Sequence, residues 1–191
     1  SFKHGSEILN NRNLLEEIRM ENNLDFLSMI DEDNLEIYSR SPFNRINTLS
    51  GQSKDLAFTE TLTIGEMEML VGDMASQYSI EVIKTPYSYL EKREKLSDIL
   101  TMTSFSRFTI DGRGYILYGG IVLNRNFSFV DRIREIIFSQ EFYDGKPVGT
   151  VTLFSGPVRV ATNVLLSRDK RAIGTVIQDV VGKAVLDENQ S

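Results

Sequence analysis

Residues 98–123, DILTMTSFSRFTIDGRGYILYGGIVL, decide the fold that the sequence predicts. They contain two extended stretches rich in β-branched and aromatic residues, joined by Asp111-Gly112-Arg113. An Asp-Gly step between two such stretches is a strong signal for a β-hairpin. Gly119 and Gly120 lie inside the second stretch, where glycine indicates a bend or the close approach of another backbone. We therefore expect a pair of antiparallel strands at the centre of the fold.

The second of these strands leads almost directly into an amphipathic helix, FSFVDRIREIIF at residues 127–138. Ser128 followed by Asp131 fits a loose capping box at the start of the helix. The apolar stripe of the helix consists of Phe129, Val130, Ile133, Ile136 and Ile137. No residue type that catalysis requires stands at this junction, so we expect it to pass small displacements from strand to helix.

The N-terminal part of the chain begins with a predicted helix. Residues 6–23 have the spacing of an amphipathic helix, with Ile8, Leu15 and Ile18 on one stripe. Residues 24–41 contain two short strand-like stretches on either side of a cluster of turn-forming residues. This pattern predicts a helix followed by a hairpin.

The remaining segments add further strands and helices. Residues 52–97 contain a strand-like stretch, a helical stretch and a polar segment expected at the surface. Residues 148–165 predict a hairpin around Gly156-Pro157, and Thr175 and Gln178 fit a capping box for a last helix that ends near residue 187. Because the regular strand-helix-strand alternation of a parallel fold is missing, the order of elements favours an α+β fold with antiparallel sheets.

The composition excludes several classes of function. The 191 residues carry a net charge of −6 with a pI near 4.9, whereas a nucleic-acid-binding surface needs clustered Lys and Arg. The sequence has no cysteine, which removes disulfides, thiolate zinc sites and cysteine nucleophiles. No apolar stretch approaches the roughly 20 residues of a spanning helix, and the first residues do not have the pattern of a signal peptide. We expect no nucleic-acid partner, and membrane attachment only through spans outside these residues.

The sequence carries no pattern for catalysis, metal binding or a cofactor. The sole histidine is His4, so neither a Ser-His-Asp triad nor an HExxH zinc site is expected. The glycines of GRGYILYGG lack the spacing of a dinucleotide loop or a phosphate loop. Asp31–Asn34 begins like a calcium loop but fits a hairpin turn better. We therefore predict no catalytic residue, no metal site and no cofactor in this chain.

One group of residues favours ligand binding. Thr101, Thr103, Phe105 and Arg107 alternate along the first strand of the central hairpin and should share one face, with Tyr118 in the partner strand. Hydroxyl groups, aromatic rings and a guanidinium on one face can hold a small anionic ligand, and arginine binds a carboxylate through two hydrogen bonds. A solvated sheet face with incidental polar residues accounts for the same pattern equally well.

The sequence resembles the Cache family, the extracytoplasmic PAS-like sensor domains of membrane receptors. The resemblance is clearest over residues 114–186, where it is carried by GYILYGGIVLNRNFSFVDRIREIIF, GTVTLFSGPVRVATNVL and RAIGT. NNLDFLSMIDEDNLEIYSRS at residues 22–41 resembles the end of a long first helix that leads into the first hairpin. The similarity is nearest to the tandem Cache sensors of membrane histidine kinases and chemotaxis receptors.

The resemblance implies an architecture. It implies a PAS-like antiparallel sheet with a long N-terminal helix, flanking helices, a ligand pocket on one face and part of a second similar module. Residues 1–126 are then expected to form the N-terminal helix and a membrane-distal sensor module. Residues 127–191 are expected to form a connecting helix and a partial membrane-proximal module.

The resemblance also implies a function in signal transduction. The chain is expected to be the extracytoplasmic ligand-sensing domain of a transmembrane receptor, with a two-component sensor histidine kinase as the leading case and a homodimer as its full-length form. The expected ligand is a small organic molecule, a carboxylate if Arg107 binds it, and the chain itself is not expected to be an enzyme. The alternative is a dimerisation module of a chemotaxis receptor that binds no ligand of its own.

Overall fold

A computed structural model of the chain describes residues 12–32, 55–89, 91–138, 142–143 and 146–187. The chain divides into two compact units. Unit 1 comprises the residues up to Ser76 together with Thr101–Val122, and unit 2 comprises Gln77–Leu100 together with the residues from Leu123 onward. Each unit therefore consists of two separate segments of the sequence.

The described elements are numbered here along the chain. The α-helices are α1 (Arg12–Glu21), α2 (Ile64–Val71), α3 (Phe127–Phe138) and α4 (Asp179–Gly182), and Gly72–Tyr78 and Lys183–Asp187 are a 3-10 helix and a π-helical turn. The strands are β1 (Phe26–Asp31), β2 (Asp55–Leu62), β3 (Ile80–Glu81), β4 (Lys95–Leu96), β5 (Ile99–Ile110), β6 (Arg113–Val122), β7 (Phe142–Tyr143), β8 (Lys146–Pro147), β9 (Thr152–Ser155), β10 (Val158–Thr162), β11 (Leu165–Ser167) and β12 (Lys170–Arg171). This is an α+β fold with a PAS-like antiparallel sheet, so the predicted fold class is confirmed.

Unit 1 is built on a four-stranded sheet with the strand order β1-β6-β5-β2. The predicted central hairpin is confirmed, because β5 and β6 are paired antiparallel from Thr101 to the turn that follows Ile110. Asp111 and Gly112 in that turn have φ values of 49° and 81°. Two positive φ values are what a type I′ hairpin turn requires, which explains the Asp-Gly step.

The edges of this sheet come from the N-terminal part of the chain. The predicted helix over 6–23 is described as α1 from Arg12 to Glu21, and β1 is the first strand of the hairpin predicted over 24–41. The second strand of that hairpin, near residues 35–40, lies outside the described residues. β2 leads into α2 through Thr63, which forms a capping box with Glu66 that the sequence analysis did not identify.

Gly119 and Gly120 in β6 mark close contacts, as predicted. A methyl group at Gly120 would lie 2.4 Å from the carbonyl oxygen of Met102 and 2.9 Å from the ring of Phe26. A methyl group at Gly119 would lie 2.7 Å from the side chain of Leu27. These positions require glycine because neighbouring strands and their side chains fill the space that a Cβ atom would occupy.

We expect Gly120→Ala to destabilise the protein by about 1–3 kcal/mol, because the backbone of β5 cannot move away from the new methyl group without loss of pairing. Gly65→Ala is the matched control, since it lies in α2 with no atom within 4 Å of the added methyl group. Alanine in an open helical position should stabilise by about 0.5–1 kcal/mol. Urea unfolding of both variants measures the difference, and equal effects would contradict the contact described for Gly120.

Unit 2 surrounds a small aliphatic core. Its buried members are Ile80, Leu96, Val158, Val160 and Val176. β9 and β10 form the hairpin predicted around Gly156-Pro157, and this prediction is confirmed. Residues 83–88 form bridges with residues 175–178, so the polar segment expected at the surface is in part a structural element of unit 2.

Residues 123–126 form the junction between β6 and α3. Asn124 is buried, and its side chain accepts a hydrogen bond from the N–H of Leu100 (3.1 Å) and donates to the carbonyl oxygens of Tyr78 and Asp98. Arg125 has a φ of 62°, a left-handed conformation that costs a non-glycine residue roughly 1–2 kcal/mol. Hydrogen bonds of its backbone N–H and its guanidinium to other parts of unit 2 hold it there.

The predicted helix over 127–138 is confirmed as α3, but its predicted cap, Ser128, was wrong by two residues. Asn126 caps the helix, because its Oδ1 accepts a hydrogen bond from the N–H of Phe129 at 3.1 Å, and the hydroxyl of Ser128 donates to the same oxygen. The predicted apolar stripe is also only partly buried, since Val130 is buried while Ile136 and Ile137 are exposed. The periodicity of a short helix predicts that the helix forms, but it does not predict how many of its apolar side chains are buried.

The predicted cap of the last helix was also wrong, and part of its apolar face is exposed. Thr175 does not cap it, because its hydroxyl donates to the carbonyl oxygen of Ala172 inside unit 2. Gln178 occupies the N-cap of α4 without a side-chain hydrogen bond, and Val180 and Val181 are exposed.

An ion pair connects α3 to β12 within unit 2. Two nitrogens of the Arg171 guanidinium, Nη1 and Nη2, donate hydrogen bonds to the carboxylate of Asp131 at 2.9 and 2.7 Å. These hydrogen bonds hold the pKa of Asp131 below its ordinary value. A depressed folded-state pKa stabilises the protein above the unfolded-state pKa of about 3.9 and loses that contribution as the pH falls through the folded-state value.

We expect Asp131→Asn to lower the free energy of unfolding at pH 7 by up to about 1 kcal/mol, the size of a partly exposed ion pair. The difference from the wild type should shrink as the pH falls below about 4, because the wild-type carboxylate then becomes protonated. Urea unfolding between pH 7 and pH 2.5 tests this, with Asp169→Asn at an exposed position of the same unit as control. A deficit that stays constant over the whole range would argue against this role of the ion pair.

Candidate functional site

The five residues predicted to bind a ligand lie on one face of the unit 1 sheet. Thr101, Thr103, Phe105 and Arg107 alternate along β5, and Phe105 is directly opposite Tyr118 in β6. The structure therefore brings all five together, as the strand periodicity predicted.

Four of these five side chains are buried. Thr101, Thr103, Phe105 and Tyr118 are each at most 2% exposed. The alternative interpretation, a solvated sheet face, is therefore wrong for these four residues. A polar side chain in such a position must find a hydrogen-bond partner, because burying it without one costs a few kcal/mol.

The partner is Glu60 of β2, a buried residue that the sequence analysis did not single out. Its Oε1 accepts hydrogen bonds from the hydroxyls of Thr103 at 2.7 Å and Tyr118 at 2.8 Å, and its carbonyl oxygen accepts one from Thr101 at 3.2 Å. Hydroxyl donors to a carboxylate form strong, charge-assisted hydrogen bonds, which offset the desolvation of the charge. The signal in the sequence was the alternation of Phe58, Glu60 and Leu62, which places the glutamate on the inward face of a strand.

Aromatic rings surround this polar cluster. The ring of Tyr118 lies 5.6 Å from that of Phe26, and the ring of Phe105 lies 6.4 Å from that of Phe58 in an edge-to-face arrangement. The face thus combines an acidic, hydroxyl-rich centre with apolar walls.

Arg107 lies nearer the hairpin end of the same face and differs from the other four. It is 29% exposed, and its Nε lies 2.9 Å from Oε1 of Glu32, which is 33% exposed. The contact is close enough for an ion pair but is not aligned as a hydrogen bond. Glu32 also lies directly against Gly114, where a methyl group would be 2.1 Å from its carboxylate.

The opposite face of the sheet holds a cavity of about 630 Å³ within unit 1. Of the five predicted residues only Phe105 lines it. The lining is mainly apolar and consists of Ile18, Asn22, Leu24, Leu27, Asp55, Leu56, Ala57, Ser104, Phe105, Ser106, Leu117 and Gly119. Ile18, predicted to lie on the apolar stripe of the first helix, thus borders a space inside its own unit.

The described residues contain no group of three or more His, Cys, Asp and Glu side chains placed to hold a metal ion. Within the same ranges, no helix combines the length and the hydropathy of a membrane span.

No curated protein and no solved structure matches the chain. A family model does match it, the model described as Single cache domain 3, over residues 121–191. These residues match a Cache sensor domain. The resemblance found in the sequence is thereby confirmed for the part of the chain that includes the end of β6 and the residues after it.

Cache domains are sensory rather than catalytic, and they are typically the extracellular sensor domains of signalling receptors that bind small molecules. The match covers less than half of the 191 residues, and most of it falls in unit 2. The matching family is described as a single Cache domain. The tandem arrangement, with a distal module over 1–126 and a proximal one over 127–191, stays a prediction.

We expect Tyr118→Phe to lower the free energy of unfolding by about 1.5–3 kcal/mol, because it removes a hydrogen bond to a buried carboxylate. Tyr115→Phe is the matched control: Tyr115 is buried in the same strand and stacks on Phe108, but no hydrogen bond of its hydroxyl is found among the described residues.

A double-mutant cycle with Glu60→Gln assigns the effect to the carboxylate. The cost of Tyr118→Phe should fall in the Glu60→Gln background, because the hydroxyl then donates to a neutral amide. An unchanged cost in that background, measured by urea unfolding, would show that Glu60 is not the relevant partner.

Proposed function

We propose that this chain is the extracytoplasmic ligand-sensing domain of a transmembrane signalling receptor, most specifically of a sensor histidine kinase, and that it binds a small organic carboxylate without transforming it. The match to a Cache sensor domain supports the sensory role. The observation that carries the ligand class is the partly exposed guanidinium of Arg107 at the margin of a buried polar face.

The proposed site uses the five predicted residues in different roles. Thr101, Thr103 and Tyr118 fix Glu60 inside the sheet face, and Phe105 contributes an apolar wall. Arg107 is the one cation of the five, and guanidinium binds a carboxylate through two parallel hydrogen bonds. The carboxylate of Glu32 occupies the place beside Arg107 that the carboxylate of a ligand would take.

The exchange of Glu32 for a ligand costs little. Both members of the pair are about one-third exposed, and pairs of that kind contribute roughly 0–1 kcal/mol. Ligand binding and release of Glu32 are then one event.

This exchange also supplies a route for the signal. Glu32 follows β1 directly, and β1 is paired with β6 over the whole length of β1. β6 continues along the chain through residues 123–126 into α3. Release of Glu32 changes the restraint on β1 and β6, and the helix that follows β6 receives the displacement.

We expect a panel of short carboxylic acids and amino acids to contain a ligand that stabilises the wild type by about 2.7 kcal/mol at a hundredfold excess over Kd. Arg107→Gln should remove this stabilisation, whereas Glu32→Gln should keep it or increase it, because the internal competitor is gone. Thermal unfolding with and without each acid gives the measurement. Stabilisation of Arg107→Gln equal to that of the wild type would exclude this site.

The rival function, a dimerisation module of a chemotaxis receptor with no ligand of its own, makes the opposite prediction. Light scattering would then show a dimer whose stability no member of the panel changes. A monomer at high protein concentration, with and without ligand, would exclude that function for the isolated chain.

A further inference from the structure

The last helical segment of unit 2, residues 179–187, combines two helical forms. α4 (Asp179–Gly182) is followed directly by the π-helical turn Lys183–Asp187. A π turn contains one residue more than a turn of α-helix, is rare, and occurs frequently at functional sites. Lysine, alanine and leucine in this turn favour the regular α-helix. The π form of the turn therefore needs a cause outside the segment.

The segment is only slightly buried in unit 2. Gly182 is its only buried residue, whereas Val180, Val181 and Val185 are exposed. Burial of an apolar face, which stabilises most helices in globular proteins, therefore contributes little here. The form of the segment depends instead on what contacts Gly182 and on the hydrogen bonds at either end.

Residues 85–89, named here the strap, hold the start of the segment. The N–H of Tyr89 donates to the carbonyl oxygen of Ile177 at 2.8 Å. The N–H of Asp179 donates to the carbonyl oxygen of Tyr87, also at 2.8 Å. The φ of Tyr87 is 62°, a left-handed conformation that is unfavourable for a residue with a side chain. Because the side chain of Tyr89 packs against the core of unit 2, the strap joins the segment to that core.

Tyr89 also contacts the segment at two residues that lie five positions apart. Its hydroxyl donates a hydrogen bond to Oδ1 of Asp187 at 2.7 Å. Its ring lies against Gly182, where an added methyl group would be 2.5 Å from Cδ2 of the ring. Residues five apart lie about 140° apart around an α-helix, whereas the i→i+5 hydrogen bonds of a π turn bring them to the same side. One tyrosine can therefore hold both residues only in the π form.

We propose that residues 179–187 are a two-state element and that Tyr89 selects its π form. When the hydroxyl of Tyr89 releases Asp187, the last turn rewinds to a regular α-helix. Rewinding turns Asp187 around the helix axis by the rotation of one residue, about 100°. A small movement of the strap is thereby converted into a rotation at the end of this segment, which makes the pair a conformational switch built into unit 2.

The structural alternative is that Tyr89 anchors a segment that has only one form. The two explanations differ in what happens when the hydroxyl is removed. An anchored segment either keeps its π turn or loses its helical structure, whereas a two-state element exchanges π hydrogen bonds for α hydrogen bonds. NMR couplings across hydrogen bonds distinguish these results, because they identify the carbonyl group with which each amide is paired.

The first variant is Tyr89→Phe, which keeps the ring and its contact with the core but removes the hydroxyl. We expect the amides of the turn that pair five residues back in the wild type to pair four residues back in this variant. Tyr87→Phe removes an exposed hydroxyl from the same strap, so it is the matched control and should keep the wild-type pairing.

Two substitutions at Asp187 separate the hydrogen bond from the bulk of the side chain. Asp187→Asn retains an acceptor oxygen and should keep the π pairing, whereas Asp187→Ala should pair four residues back. Asp187 is exposed, so neither substitution disturbs the core of unit 2.

Gly182→Ala tests the other contact of Tyr89. Alanine favours the α-helix more than glycine does, and its methyl group displaces the ring of Tyr89. We expect this variant to pair four residues back although it retains the Tyr89 hydroxyl. The amide resonances of Val158, Val160 and Val176 should persist, since these residues form the core of unit 2 away from the turn.

Three results would overturn the proposal. They are π pairing that persists in Tyr89→Phe, Asp187→Ala or Gly182→Ala, loss of both kinds of pairing in these variants, and an exchange of pairing in the Tyr87→Phe control. No ligand enters the experiment, so its failure is distinguishable from failure of the site proposed at Arg107.

Discussion

The pairing of β5 with β6 is the constraint on which the rest of unit 1 depends. The Asp111-Gly112 turn fixes the register of the two strands, and the register fixes which side chains share a face. A shift by one residue would move Thr103 and Tyr118 to the opposite face and separate both from Glu60. Gly120 permits the close approach that this register demands, because no side chain could fit between it and the backbone of β5.

A buried or partly buried charged side chain has different partners in the two units. Glu60 in unit 1 is surrounded by hydroxyl donors, so its desolvation is offset within the protein. Arg159 in unit 2 contacts a hydroxyl and an aromatic ring but no acid among the residues that the structure describes, so its desolvation is only partly offset.

The junction between β6 and α3 has a structural role, because its side chains hold the backbone in place and cap the helix. Asn124 joins three backbone groups of unit 2, Arg125 is held in a left-handed conformation, and Asn126 caps the helix. These hydrogen bonds fix the start of α3 within unit 2. This property suits a sensory domain, in which a ligand produces a mechanical change rather than a chemical one.

Parts of this protein could be derived from local sequence because their causes are local. Strand periodicity and an Asp-Gly turn determined the central hairpin, and the same alternation placed Thr101, Thr103, Phe105 and Arg107 on one face. The hairpin around Gly156-Pro157 followed from turn chemistry in the same way. The Cache resemblance was carried by these same segments.

Other features depended on residues distant in sequence. Glu60 and Tyr118 are separated by 58 positions in the sequence, and Asp131 and Arg171 by 40. No local sequence pattern therefore predicts either pair. The cap predicted at Thr175 failed because its hydroxyl donates to Ala172 and accepts from Arg159, 16 positions away. The cap predicted at Ser128 failed for a local reason, because Asn126 two residues earlier caps the helix. The sequence by itself determined the hairpins at 98–123 and around Gly156-Pro157 and which of their side chains share a face, because these follow from turn chemistry and backbone geometry. Only the tertiary structure decided which buried charges are satisfied and which are not, because that depends on the partners that folding brings within hydrogen-bond distance.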